Sequence, residues 1–298
     1  MKKVLMIALI VPALAAFARA GESETAALSA GASFASLGDL KAALKPADED
    51  PATAKQKLLD EKLLSAVETA DVAEIRRLVA MGANPNANDG YHSMPLSQAV
   101  SSHGDPDVIN ALLALGAQVD GKGVCDYTAL HAAARDGRLE AARLLVAHHA
   151  TIDAKACLGD TPLLEAAANG KADVFKYLLG LGANPNAAGY QNKTPLLYAV
   201  NVWAAPKDND ILNALLADKR VDVNAADENG VTALKSAVKD ANTDLVKVLL
   251  AVPGLDVNAA PGGTSALFLA ELDKHDDIAA LLRAAGAKEL AVRGVAFR

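Results

Sequence analysis

Aromatic residues, cysteines and long apolar runs are scarce in this chain. Phe, Trp and Tyr together make up 4% of its 298 residues, although 52% of the residues are hydrophobic. Alanine supplies the difference, and an alanine-rich, aromatic-poor chain suits closely packed helices better than a large mixed core. The two cysteines, with no matching pair of histidines, are too few ligands for a metal site. We predict no metal and no cofactor.

Basic residues are in the minority, which argues against nucleic acid as a partner. The chain holds 29 basic and 36 acidic residues; its first twenty residues contain three of the basic ones and no acid, so the remainder has 26 against 36, a net charge of −10. An acidic protein repels phosphate backbones. The sequence also has no His-Glu-x-x-His, no Gly-x-Ser-x-Gly, no phosphate-cradling glycine loop and no Cys-x-x-Cys. We therefore predict that the protein is not an enzyme and has no catalytic residues.

The longest uncharged apolar run lies at the N-terminus and is short. Lys2 and Lys3 precede it, residues 4–17 form the run, and Ala-Arg-Ala follows at 18–20. A positive start, an apolar centre and small residues before the cleavage point are the three parts of a secretory signal peptide. The alternative is a membrane anchor, but a run of about 14 residues is shorter than the ~20 that span a bilayer. We predict a signal peptide at 1–20, a periplasmic mature protein and no membrane insertion.

A motif of about 33 residues recurs along the chain. Gly-Ala-Asn-Pro-Asn-Ala at 82–87 returns at 182–187, and weaker copies begin near residues 116, 150, 221 and 255. A second marker, Thr-Pro-Leu or a close variant, follows each copy by about eight residues. Its leucines are spaced by 34, 33, 33, 38 and 33 residues and are Leu96, Leu130, Leu163, Leu196, Leu234 and Leu267.

The two markers stay in phase over six copies, and in this the chain resembles the ankyrin repeat family, with its Thr-Pro-Leu-His-x-Ala marker. The segment 128–137, Thr-Ala-Leu-His-Ala-Ala-Ala-Arg-Asp-Gly, is close to that pattern. The resemblance covers residues 58–288 and implies an all-α solenoid of about seven stacked repeats, each a helix-turn-helix with a β-turn finger. Residues 21–57 are then predicted to be a flexible segment and residues 289–298 a C-terminal tail.

The resemblance also implies a concave binding side, built from the finger tips and the exposed part of each first helix. Relative to each Thr of the marker, these positions lie one, three and four residues before it and seven and eight after it. Three of the five tyrosines fall on finger positions, and tyrosine is enriched at binding hot spots. The alternative is that these tyrosines pack locally against neighbouring fingers. The predicted protein-binding residues are Tyr91, Tyr127, Arg135, Leu158, Tyr190 and Gln191.

One repeat carries an insertion that is a second candidate site. Four more residues separate Ala199 from Leu215 than separate Ala166 from Leu178. The extra stretch contains Trp203, the only tryptophan. Lengthened turns on a rigid scaffold often carry function, so Trp203 joins the predicted binding residues. The alternative is a tolerated insertion with Trp203 tucked against its own repeat.

Cys125 and Cys157 fall on the tips of adjacent fingers, offset by one position. Neighbouring repeats stack about 10 Å apart, whereas a disulfide needs Cα atoms within about 7 Å. The offset could close that gap or widen it, so a disulfide, two free thiols and a bridge to a partner all remain open. His131 matches the family marker, and we expect it to make a structural hydrogen bond under its finger.

These observations predict a monomeric periplasmic protein that binds one folded partner. The partner predicted from the compartment is an enzyme of the cell envelope, for example a peptidoglycan hydrolase or an oxidative-stress enzyme. Binding would inhibit that enzyme, protect the cell against it or stabilise it. The alternatives are a scaffold that binds the envelope or peptidoglycan, and an ankyrin effector secreted beyond the envelope.

Overall fold

The computed structural model describes residues 50–88, 94–201 and 210–289, and these residues form seven successive pairs of α-helices. We number the pairs as repeats one to seven, and the segment before each first helix is the finger of that repeat. The pairs are α1 (Pro51–Glu68) with α2 (Val72–Ala80), α3 (Pro95–Ser102) with α4 (Pro106–Ala114), α5 (Ala129–Asp136) with α6 (Leu139–Ala147), α7 (Pro162–Ala168) with α8 (Ala172–Gly180), α9 (Pro195–Asn201) with α10 (Asp210–Ala217), α11 (Ala233–Lys239) with α12 (Thr243–Leu250), and α13 (Ala266–Leu272) with α14 (Asp276–Ala284). The predicted all-α solenoid of about seven repeats is confirmed.

The N-terminal boundary differs from the sequence prediction. Helix α1 begins at Pro51, inside the segment 21–57 that was predicted to be flexible, so that prediction is wrong over residues 51–57. The apolar pattern starts only at Leu58, but five of the six residues between Pro51 and Leu58 are alanine, lysine or glutamine, which are good helix formers. Proline at the first helical position costs no hydrogen bond. The predicted signal peptide at 1–20 and residues 290–298 of the predicted tail lie outside the described residues.

Repeat four illustrates the local signals that begin and end helices in the stack. The Thr161 hydroxyl accepts a hydrogen bond from the Leu164 N–H at 3.3 Å, and Pro162 takes the first helical position, where no N–H is needed. Gly182 follows the second helix with φ +92°, a conformation that side-chain-bearing residues rarely adopt. These local signals end each helix at the point where the chain must turn into the next finger.

The core is a continuous stack of leucine and alanine side chains. In repeat four, Leu163, Ala166, Ala167 and Leu178 are each at most 1% exposed. Small alanines on the first helices let successive repeats pack closely, and each buried leucine stabilises the stack by roughly 1.5–3 kcal/mol. Within 50–88, 94–201 and 210–289, no helix combines the length and the apolar character needed to cross a membrane.

A repeated amide or carboxylate fastens each finger to the next. Asn224 accepts a hydrogen bond from the Asp256 N–H and donates one to the Gly254 carbonyl, both at 2.8 Å. Asp120 accepts from the N–H and the hydroxyl of Thr151, at 2.9 and 2.6 Å. The fingers are therefore held in a fixed register by side chains at one repeated position, occupied by Asn86, Asp120, Asp153, Asn186, Asn224 and Asn258.

Candidate protein-binding site

The finger tips and the adjoining sides of the first helices form one surface, which we call the finger face. At fingers three and five the tip is a 3₁₀ turn, Val124–Asp126 and Tyr190–Asn192. Backbone hydrogen bonds join successive tips: the Cys157 N–H donates to the Cys125 carbonyl at 2.9 Å, and the Glu228 N–H donates to the Gln191 carbonyl at 3.0 Å. A partner would therefore meet a row of fingers that support one another.

Three large apolar side chains on these tips are exposed. Val124 is 48% exposed, Leu158 57% and Tyr190 52%; we call them the apolar tip row. Val124 and Leu158 are direct chain neighbours of the two cysteines, and Asp160 accepts a hydrogen bond from the Tyr190 N–H at 3.3 Å, so the fingers that carry them touch. Single exposed apolar residues are common, whereas a contiguous group on one surface indicates a binding site.

Cys125 and Cys157 are joined as a disulfide in the structure, with their Cα atoms 4.9 Å apart. Of the three arrangements that the sequence left open, the structure has the intramolecular bridge. The offset of one residue is therefore compatible with a bridge, and Cys125 has a left-handed backbone, with φ 60° and ψ 34°, inside its finger turn. The bridge closes a segment with a sequence separation of 32 residues and links fingers three and four at their tips.

Tyr127 differs from Tyr190 because it is half-buried. Its ring centroid lies 4.9 Å from that of His131, and the Arg135 guanidinium carbon lies 5.5 Å from the ring centroid. Burial, followed by the nearby Glu165 carboxylate, raises the pKa of Tyr127, so the phenol stays neutral. Tyr127 therefore makes the local contacts that were the alternative to a binding role, and it offers a partner only the remaining part of its ring.

Arg135 is held in one orientation. Its Nε donates to Asp136 Oδ1 at 2.9 Å, and its terminal nitrogen donates to Asp136 Oδ2 at 3.1 Å and to Ser101 Oγ at 3.2 Å. A bidentate contact of this kind fixes the plane of the guanidinium. A partner that contacts Arg135 would lose little side-chain entropy there, because the side chain is already ordered.

Two residues of the finger face, Glu165 and Tyr198, were not predicted from the sequence. Both lie four residues after the cap of a first helix, whereas the predicted binding positions on these helices lie seven and eight residues after it. Residues i and i+4 share a helix face, so this position faces the fingers as well. At this position the neighbouring helix α5 has Ala132, which is small and buried. A glutamate and a tyrosine at the same position were the feature of the sequence that could have revealed these two residues.

Glu165 and Tyr198 are both half-buried. The Glu165 carboxylate accepts a hydrogen bond from Asn169 Nδ2 at 3.3 Å, and the Tyr127 hydroxyl donates to the His131 carbonyl at 3.4 Å. Burial, and then the negative charge of Asp160, raise the pKa of Glu165. Burial, followed by Asp160 and Glu165, raises the pKa of Tyr198 as well, so this tyrosine also senses the charge of Glu165.

His131 lies beneath this surface and is 0% exposed. Its Nδ1 accepts from the Thr128 N–H at 3.2 Å, so Nε2 carries the hydrogen and donates to the Asp160 carbonyl of finger four at 3.1 Å. Burial lowers the pKa of His131, which favours this neutral form. The predicted structural hydrogen bond under the finger is confirmed.

The other predicted residues are placed differently. Gln191 is half-buried with φ 57°, and it contributes its carbonyl to the contact with finger six. Tyr91 and Trp203 lie outside the described residues. Across the three ranges that the structure describes, no three His, Cys, Asp or Glu side chains are grouped so as to hold a metal ion.

A comparison with protein-family models finds a match to the model described as ankyrin repeats (3 copies). The match covers residues 96–189 and 196–291, which is more than half of the 298-residue chain. Both segments begin at the leucine of a repeated marker, Leu96 and Leu196, and each contains the fingers and helix pairs described above.

Proposed function

The chain belongs to the ankyrin repeat family, and from that premise we propose that the finger face of repeats three to five binds a folded partner protein. A stack of ankyrin repeats is a protein-protein interaction module. The observation that carries the choice of surface is the apolar tip row of Val124, Leu158 and Tyr190, which stays exposed while most other large apolar side chains of these repeats are buried.

Two properties of this surface support binding. The tips are fixed by the disulfide and by backbone hydrogen bonds between fingers, so ordering them on binding costs little. The exposed apolar side chains stand beside oriented polar groups, Arg135 and Glu165, and an apolar centre with a polar rim is the usual anatomy of a protein interface. Repeats three to five thus offer a prepared, mixed surface.

We further propose that the protein works in the periplasm as a monomer, without catalysis of its own. The N-terminal signal-like segment supports export, and a disulfide suits an oxidising compartment. The partner is then an envelope enzyme, for example a peptidoglycan hydrolase or an oxidative-stress enzyme, which the bound protein inhibits, protects the cell against or stabilises.

The test is capture of a partner from periplasmic extract with the mature protein and two matched double variants. Leu158→Ser with Tyr190→Ser removes two members of the apolar tip row. Leu181→Ser with Val248→Ser removes two apolar side chains, 43% and 37% exposed: Leu181 directly follows the second helix of repeat four, and Val248 lies on the second helix of repeat six. Circular dichroism should show unchanged helix content for both. Because hot-spot side chains contribute about 2 kcal/mol or more each, the tip variant should bind at least about tenfold more weakly.

The control variant should bind the partner within about twofold of the unmodified protein, since isolated exposed side chains contribute little. Equal retention by both variants would contradict the choice of surface. No captured protein, together with co-sedimentation on purified peptidoglycan, would replace the proposal with the scaffold alternative. Recovery of an epitope-tagged chain from the culture medium, rather than from the periplasm, would favour the secreted effector.

A further inference from the structure

The disulfide between Cys125 and Cys157 lies at the surface, because both of its residues are exposed on the finger face. A disulfide is opened by a thiolate that attacks one of its sulfur atoms, so the rate of opening depends on access to the bridge. Exposed disulfides are accordingly the reactive ones, whereas buried ones are protected by the fold. A thiolate can therefore approach this bridge while the chain is folded.

Finger five shows that the same tip forms without a bridge. Cys125 and Gln191 both lie three residues before the threonine of the repeat marker, and their backbones are alike, with φ 60° and ψ 34° for Cys125 and φ 57° and ψ 28° for Gln191. Each accepts a backbone hydrogen bond from the next finger, from the Cys157 N–H at 2.9 Å and from the Glu228 N–H at 3.0 Å. The conformation of the tip and the contact between neighbouring tips therefore do not depend on the disulfide.

Further contacts hold fingers three and four together without the sulfur atoms. Asp120 accepts a hydrogen bond from the Thr151 N–H at 2.9 Å, and His131 Nε2 donates to the Asp160 carbonyl at 3.1 Å. With these contacts in place, the two thiols of an opened bridge would remain on neighbouring fingers and could close again. Opening of the bridge is therefore expected to be local and reversible rather than an unfolding of the stack.

The bridge also lies within the apolar tip row. Val124 directly precedes Cys125, and Leu158 directly follows Cys157. A ligand whose apolar groups cover Val124 and Leu158 would hold its own thiol close to the sulfur atoms of the bridge. Because holding two reactants together raises the rate of their reaction, such a thiol should react faster than a free one.

We propose that the Cys125–Cys157 bridge is a thiol-exchange site, at which a ligand that carries a thiol becomes covalently attached to the finger face. The thiolate of the ligand attacks the Sγ of one cysteine and forms a new S–S bond with it. The bond between Cys125 and Cys157 breaks, and the other Sγ leaves as a thiolate. Attack of this thiolate on the mixed disulfide restores the bridge and releases the ligand as a thiol, so no other oxidant or reductant takes part. The site goes beyond the proposed function, since a small thiol can react there whether or not a folded partner binds.

The test compares the rate of exchange in the folded and in the unfolded chain. The oxidised protein is incubated with reduced glutathione at pH 7.5, both in buffer and in a concentration of urea that unfolds it. Iodoacetamide traps the freed cysteine, and mass spectrometry measures the chain that carries both glutathione and an alkylated cysteine. The rates in buffer and in urea should agree within about tenfold, because the bridge is accessible in both states.

Two results would overturn the thiol-exchange site. A bridge that reacts only through unfolding would exchange at least about a thousandfold more slowly in buffer than in urea, because the unfolded chain is rare under native conditions. Loss of helix content by circular dichroism during the reaction in buffer would show that the bridge holds the fold together. Unchanged helix content with rapid exchange is the expected outcome.

Two cysteine peptides of equal net charge distinguish a free thiol from the thiol of a protein segment. In one peptide leucine and tyrosine surround the cysteine, and in the other serine and glutamine do. If the ligand is a protein segment, the apolar peptide should react about tenfold faster than the polar one. Leu158→Ser with Tyr190→Ser should remove that advantage, whereas the control variant Leu181→Ser with Val248→Ser should keep it. Equal rates for the two peptides would identify a small free thiol as the ligand of the site.

Discussion

The junction between repeats three and four and the junction between repeats six and seven use one common device. In each, a buried polar side chain three residues after the helix cap reaches the next finger. His131 Nε2 donates to the Asp160 carbonyl at 3.1 Å, and Lys235 Nζ donates to the Pro261 carbonyl and, at 2.8 Å, to that of its own finger. In each, an Asp or Asn of the finger also holds the backbone of the next finger.

The two junctions differ at the finger tips. Fingers six and seven meet backbone to backbone: Gly230 has φ +71°, and a Cβ there would lie 2.6 Å from the Pro261 carbonyl atoms. Fingers three and four are joined by a disulfide in addition to a backbone hydrogen bond, and their repeats also carry Tyr127, Arg135 and Glu165. Because repeats six and seven stack without these groups, stacking does not require them, and their presence at the other junction points to binding.

The largest effect is expected from removing the disulfide, which is present at one of the two junctions only. Replacing both Cys125 and Cys157 by serine should lower the free energy of unfolding by about 3–4 kcal/mol, since the bridge closes a loop with a separation of 32 residues and restricts the unfolded chain. Urea unfolding, followed by circular dichroism, measures this. Dithiothreitol should destabilise the unmodified protein by a similar amount and leave the serine variant unchanged. An unaffected urea midpoint would contradict the prediction.

The second prediction tests the shared device at both junctions. Repeats four and five have leucine at the position of His131 and Lys235, namely Leu164 and Leu197, so a leucine fits the stack. Lys235→Leu should cost about 2–3 kcal/mol in urea unfolding because it leaves one buried and one partly buried carbonyl without their donor. His131→Leu should lower the free energy of unfolding by about 2 kcal/mol, because it leaves one carbonyl and one N–H without their hydrogen-bond partner. The exposed substitution Lys239→Leu should change stability by less than about 0.5 kcal/mol.

A third and smaller effect concerns the fastening of the fingers. Asn224→Ala removes two hydrogen bonds to the next finger, and Asp120→Ala removes those to Thr151, so each should cost about 1–2 kcal/mol. Asn229→Ala, on the exposed tip of the same finger as Asn224, is the matched control and should cost less than about 0.5 kcal/mol. Hydrogen exchange should show the loss of protection at the affected junction alone. Equal losses from Asn229→Ala and Asn224→Ala would refute a specific role for this position.

The features that could be predicted from the sequence are those whose cause is local and repeated. A hydroxyl cap such as Thr161 and a turn glycine such as Gly182 act within one repeat, and each recurs at a fixed spacing. The repeat count, the helix pairs and the role of His131 followed from this. The start of α1 at Pro51 did not, because the residues before Leu58 favour a helix by propensity alone and carry no apolar period.

The features that could not be predicted depend on distances between repeats. Whether Cys125 and Cys157 meet depends on the distance between two finger tips, and the sequence positions of the cysteines do not give their Cα separation of 4.9 Å. Likewise, two of the side chains that interact with Glu165, Tyr127 and Tyr198, belong to repeats three and five, so the sequence neighbours of Glu165 did not reveal them. Two members of the apolar tip row, Leu158 and Tyr190, were predicted, because finger positions can be counted in the sequence from the cap of the first helix.

The smallest expected effect distinguishes the two polar bridges by pH. His131 is neutral in the folded protein, and burial lowers its pKa below the ordinary imidazole value of 6.5. Above that value the folded and unfolded chains hold the same number of protons on this group. As the pH falls through 6.5, the unfolded chain binds a proton that the folded chain resists, so stability decreases. Between pH 7.5 and 5.5, one imidazole can lower the free energy of unfolding by at most about 1.4 kcal/mol.

Lys235, at the junction of repeats six and seven, gives no such dependence of stability on pH between 7.5 and 5.5. Burial lowers the pKa of Lys235 as well, but from an ordinary value of 10.5, so its effect on stability lies at alkaline pH. Urea unfolding at pH 7.5 and 5.5 should therefore show a smaller loss of stability for His131→Leu than for the unmodified protein. Lys235→Leu should lose as much stability between these pH values as the unmodified protein does. If His131→Leu lost as much stability as the unmodified protein, His131 would have to be protonated in the fold, and its Nδ1 could not accept the Thr128 N–H.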